Sequence, residues 1–151
     1  MNLRKELKCA CISLSLKSAT KQGIIEEIID MMVQAGKLND KEAAVACVLE
    51  RERRMSTGMQ FGVAIPHGKT SAVDTLITAV ALKKEGVDFG SLDGEPSTIF
   101  VMTVSPVNRT GPHIRFLAEI SKLLNYDSVR ERLLDAETAE DIIEILTEDE
   151  E

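Results

Sequence analysis

The chain has 151 residues, of which 44% are hydrophobic and 28% charged, and its formal net charge is −7. This length suits one compact domain over residues 1–151 with a buried core, and the composition excludes wholesale disorder. The acidic balance argues against nucleic acid or an anionic membrane as the main partner, and it suits a basic protein partner.

The N-terminus carries Arg4, Lys5, Glu6 and Lys8 with no long apolar run, which does not fit a signal peptide. Cys9, Cys11 and Cys47 form an odd set without zinc-like or disulfide-framework spacing, so free thiols in a reducing, cytoplasmic setting are expected and no metal is. Residues 11–16 alternate apolar Ile12, Leu14 and Leu16 with Ser13 and Ser15, the period of a half-buried strand. Thr20 is placed to cap a helix with the stripe Ile24, Ile25, Ile28, Ile29 and Met32, and Gly36 to end it. Asn39 with Glu42 reads as the capping box of a second helix, buried through Ala44, Val45, Val48 and Leu49 and reaching Arg51 to Arg54.

After a turn marked by Gly58 and Gly62, Val63 to Ile65 reads as a short buried strand. Pro66 closes it, so His67 is delivered at or just past a strand end. Gly68 then leaves room for a bulky group to approach. Strands follow at 76–82 and 98–104, both far too short to span a bilayer, with a turn-rich segment between them in which Val87 and Phe89 add a short pairing. Ser105-Pro106 ends the last strand. Gly111-Pro112 opens a helix that turns Leu117, Ile120 and Leu124 inward. Shorter helices are expected near 128–134 and 138–146, each beginning with a Ser or Thr three residues before an acid (Glu131, Asp141), before an acidic, frayed tail at about 147–151. Helices between and after strands predict an α/β sandwich with helices covering the sheet.

Three separated residues invite a common chemistry. Singly, Arg51 beside Arg53 and Arg54 reads as a solvated charge, and His113 as a capping or surface residue. Together with His67 they describe a histidine nucleophile with two stabilisers for a transferring phosphoryl group. Arg51 supplies a forked permanent charge, and His113, in the first turn of a helix, is placed to stay neutral. The segment Gly62 to Lys69 lacks the G-x-x-x-x-G-K-[ST] spacing of a nucleotide loop, and no acidic cluster suits magnesium. The donor is therefore expected to be another phosphorylated molecule, with no cofactor.

Arg51-Glu52, Ser56-Thr57-Gly58 and Gly62-Val63-Ala64-Ile65-Pro66-His67-Gly68 together resemble the active-site signature of fructose/mannitol-type IIA components of the bacterial phosphotransferase system. Nitrogen-type regulatory IIA proteins share that signature. The spacing matches as well, with His67 16 positions after Arg51 and His113 46 after His67. Residues 113–121 resemble the family's second histidine and its helix. The resemblance implies one α/β domain with a mixed five-stranded sheet between helices. It implies that His67 takes a phosphoryl group from the carrier HPr and passes it to a IIB component, with Arg51 and His113 around the imidazole. It leaves open a regulatory role, in which phosphorylation controls binding to partner proteins. Members often carry a glycine where this chain has Met59-Gln60-Phe61, and Met59 and Phe61 are expected on the docking surface.

Overall fold

Thr20 accepts the Gly23 N–H at 3.1 Å, and from that cap the first long helix runs as its apolar stripe predicts. The structure, a computed structural model, describes residues 2–8 and 10–148. Cys9 and the tail residues 149–151, on which expectations were placed, lie outside the described residues. In chain order the elements are α1 (Leu3–Lys8), β1 (Cys11–Ser13), α2 (Lys21–Gln34), α3 (Lys41–Arg54), β2 (Val63–Ala64), β3 (His67–Lys69), β4 (Ile77–Val87), β5 (Ser97–Ser105), α4 (Thr110–Leu124), α5 (Asp127–Leu134) and α6 (Ala139–Thr147). Gly36 ends α2 at a left-handed φ of 74°, with the Lys37 N–H on the Met32 carbonyl and the Gly36 N–H on that of Val33.

The sheet is mixed, as expected. β1 lies parallel to β4, β4 antiparallel to β5, and both β2 and β3 parallel to β5. Val63 pairs with Ile99 and His67 with Thr103, so β2 and β3 keep one register and share one edge of the sheet. Alternation along the central strands builds two cores. Ala79, Ala81, Phe100 and Met102 face α2 and α3, while Val80, Leu82, Ile99 and Val101 face α1, α4 and α6. On the second face α1 lies against α6, where Leu3 and Leu7 join the core of Ile142, Ile145 and Leu146, and Arg4 meets Glu144 at 3.5 Å.

Several local expectations are corrected. The first strand stops at Ser13, though Leu16 still donates to the Leu82 carbonyl at 2.8 Å. Asp40, not Asn39, caps α3, by accepting the Ala43 N–H. Ser128 lies inside α5, whose N-cap Tyr126 makes no side-chain cap bond, whereas Thr138 and Asp141 form the expected capping box. Val87 pairs with Ser97, but Phe89 leaves the ladder and packs its ring, tilted by 59°, against Phe100.

Gly68 lines the cavity beside His67 and has a further role toward α3. Its pairing with Val104 turns it toward α3, where an added Cβ would lie 2.5 Å from Cys47 Sγ and 2.9 Å from the Val48 nitrogen. The space is already taken by a helix backbone. Gly68→Ala should therefore lose about 1–3 kcal/mol in denaturant unfolding, the usual cost of overpacking. Adding Cys47→Ala should not restore it, because the contact with the α3 backbone remains.

Candidate functional site

The strand pair that delivers His67 is interrupted, not ended, by proline. The Val63 and Ile65 N–H groups turn away from β5, to the Gln60 and Thr57 carbonyls at 3.3 and 3.0 Å. By alternation, position 66 is due to donate toward β5, and proline cannot. Its carbonyl still accepts the Thr103 N–H at 3.2 Å, so the ladder resumes at once and His67 opens β3.

His67 is half-buried, with Nδ1 2.8 Å from the Ile65 carbonyl oxygen. A carbonyl only accepts, so in the neutral ring Nδ1 carries the proton and Nε2 keeps the lone pair. Burial holds the His67 pKa below the ordinary histidine value, and the charges of Arg51 and Lys69 add to this. The Ile65 carbonyl and the Glu52 carboxylate work the other way.

His113 is in the first turn of α4, as expected, and is buried against the sheet. Its Nδ1 lies 3.2 Å from Thr103 Oγ1, and its ring meets that of His67 edge-on with centroids 5.2 Å apart. Its pKa is pushed down to about 4, first by burial and then by His67 and Lys69. Burial thus keeps this imidazole neutral.

Arg51 sits in the last turn of α3, where Nη1 donates to the Met55 carbonyl at 2.8 Å. A guanidinium has five donors, and this contact uses one. Arg51, His67 and His113 line one cavity of about 620 Å³, so the structure brings all three predicted residues together. Arg54 and Lys69 line it too, so three cations and one acid, Glu50, share its wall with the two histidines. Leu117, expected in the core, faces this cavity, and Phe116 takes the core position.

Met59 lines a different groove, with Val63, Ile65, Leu92 and Leu124. Phe61 is 56% exposed at a left-handed φ of 63°, with the Arg130 guanidinium 4.5 Å from its ring centroid and Asp93 accepting its N–H. Glycine is favoured in that conformation, so the departure noted in the sequence falls on a position held by specific partners. The large apolar groups beside His67 are Ile114, itself 61% exposed, and Leu117.

A neutral imidazole with a free lone pair beside fixed cations suits attack on an anionic, electrophilic centre. Among the described residues no three His, Cys, Asp or Glu side chains gather to hold a metal ion, and no helix is long and apolar enough to cross a membrane.

The buried His113 also makes stability depend on pH. In the unfolded chain it titrates near about 6.5, so between that value and about 4 the unfolded state binds more protons. Stability should fall as pH drops through that window. Denaturant unfolding of wild type and His113→Gln across it should show a shallower slope for the variant.

Residues 6–149 match the family described as phosphoenolpyruvate-dependent sugar phosphotransferase system, EIIA 2. A fructose-specific EIIA component of Haloferax volcanii is 39% identical over 137 residues, covering 91% of this chain and 89% of that protein. The crystal structure of the nitrogen regulatory protein IIA-Ntr from Neisseria meningitidis superposes with a TM-score of 0.88 at 29% identity, over 96% of this chain and 99% of that one. The mannitol IIA of Escherichia coli, solved in complex with phosphorylated IIB, gives a TM-score of 0.76 at 25% identity, over 91% and 94%. The chain belongs to the type 2 EIIA family of the phosphoenolpyruvate-dependent sugar phosphotransferase system, whose members are phosphotransfer components.

Proposed function

We propose that His67 accepts a phosphoryl group on Nε2 from the phosphohistidine of an HPr-like carrier and hands it to a IIB component for sugar uptake. The observation that carries this reading is the 2.8 Å contact between His67 Nδ1 and the Ile65 carbonyl, which leaves Nε2 as the nucleophile. In the transfer, the Nε2 lone pair forms a bond to phosphorus. The donor's N–P bond breaks, and its electron pair returns to the donor imidazole. The His67 ring then carries positive character, which the Ile65 carbonyl stabilises through Nδ1–H. Arg51 and Lys69 offset the charge of the transferring oxygens. Passage to the acceptor is the same displacement in reverse. The solved pairing of the mannitol relative with IIB supports a IIB acceptor.

Incubation with phosphorylated HPr should add one phosphoryl group, labile to acid as phosphoramidates are. A fructose-type IIB domain should then remove it. The high similarity to a nitrogen regulatory protein favours a second reading, in which the phosphorylated state controls binding to another protein. If the label loads normally and no sugar-type IIB domain discharges it, the transport reading fails and the regulatory one stands.

A further inference from the structure

Glu52 is a charged residue left only 7% exposed, next to Arg51 in the last turns of α3. Burial of a carboxylate is unfavourable unless it is paired and fully hydrogen-bonded, and here it is both. Both carboxylate oxygens lie 3.1 Å from the Thr57 nitrogen, and Oε2 accepts the Thr57 hydroxyl. Lys21 places Nζ 2.7 Å from Oε1 and also donates to the Phe89 carbonyl at 3.1 Å. A carboxylate, with two oxygens and about four acceptor sites, can take a backbone N–H, a hydroxyl and an ammonium together. The Thr57 carbonyl accepts the Ile65 N–H at 3.0 Å, and the Ile65 carbonyl accepts from His67 Nδ1 at 2.8 Å.

We infer that Glu52 is a positioning residue for His67: through Thr57 and Ile65 it fixes the carbonyl that keeps the proton on Nδ1 and the lone pair on Nε2. The chain of contacts is short, and each bond lies within ordinary hydrogen-bond range or closer. Lys21 ties the carboxylate to the start of α2 and, through Phe89, to the turn between β4 and β5. The loop between α3 and β2 is thereby clamped from two elements. The charge of Glu52 also opposes Arg51 and Lys69 at the imidazole. The inference rests on the reading of His67 as the phosphoryl acceptor, but its test does not.

Long-range proton–nitrogen spectra of histidine-labelled full chain, recorded unphosphorylated above pH 7.5, report the tautomer directly. Wild type should show His67 protonated on Nδ1. Glu52→Ala frees Thr57 and should give a clear Nε2–H population, with phosphoryl uptake from HPr slowed about 10–100-fold, as for other orienting partners. Glu52→Gln keeps one oxygen for the Thr57 N–H and should restore most of the wild-type tautomer, a rescue that a merely structural role would not show in this signal. Should Glu52→Ala fail to fold, Thr57→Val removes one bond of the set and should still raise a detectable Nε2–H signal. An unchanged tautomer in Glu52→Ala, or in Thr57→Val where Glu52→Ala does not fold, overturns the inference. A shifted tautomer in a chain whose wild type takes no phosphoryl group would sustain the inference and remove the acceptor reading instead.

Discussion

His67→Ala should reduce phosphoryl acceptance from HPr to background while the variant stays folded. The expected effect is complete because the Ile65 carbonyl leaves the His67 Nε2 lone pair free for attack. His113, the one other imidazole in the chain, is buried against Thr103, with its Nδ1 in contact with the hydroxyl. The fold should survive because His67 is half-buried at the sheet edge and the strand beside it is held by backbone bonds. Those include the Pro66 carbonyl to Thr103 and the Ile65 N–H to Thr57. Mass spectrometry of the intact chain after incubation reads the result. Full labelling of His67→Ala would place the acceptor on another residue. His113→Ala should still accept the group, at an altered rate, since it keeps the nucleophile and loses only the edge-on neighbour.

The second large effect belongs to Arg51. Its one described contact, to the Met55 carbonyl, helps satisfy the C-terminal end of α3, a role worth about 0.3–1 kcal/mol. Losing one charge stabiliser at a reacting centre typically costs about 10²–10³ in rate. Arg51→Ala should therefore slow phosphotransfer by about that factor with little change in thermal midpoint. Arg51→Lys should recover only part of the rate, because an ammonium cannot present the planar fork that matches phosphate oxygens. Rapid-quench transfer assays beside thermal melts separate the two cases. A large loss of stability with a near-normal rate would make Arg51 structural.

What could be read from the sequence was whatever is written locally. The Thr20 cap, the five-residue stripe of α2, Gly36 and the Thr138–Asp141 box all form as their spacing dictates, because each needs partners only a few residues away. The site histidines and Arg51 were found by type, spacing and resemblance, and the structure places them around one cavity. Failures began where a distant surface decides. Phe116 and Leu117 are both apolar and adjacent, and only the position of the sheet determines that Phe116 packs on it while Leu117 faces the cavity. Pro66 looked like a strand end because its missing donor is visible in sequence, whereas its working carbonyl depends on Thr103 across the ladder. The helix at Leu3–Lys8 offers just two buried leucines among charges, and its stability comes from α6 at the other end of the chain. Lys69 as a cavity residue and Glu52 as a buried acceptor are likewise products of tertiary placement.

The contact between α1 and α6 brings the two ends of the described chain side by side, on the face of the sheet that also carries α4. A short linker could join these helices, and new ends could be opened in the exposed turn at Asp93-Gly94 without touching Arg51, His67 or His113. The same geometry means that a module fused before α1 and another fused after α6 would both attach on this face of the sheet. The architecture is ready-made for tethering, with both attachment points on a shared face.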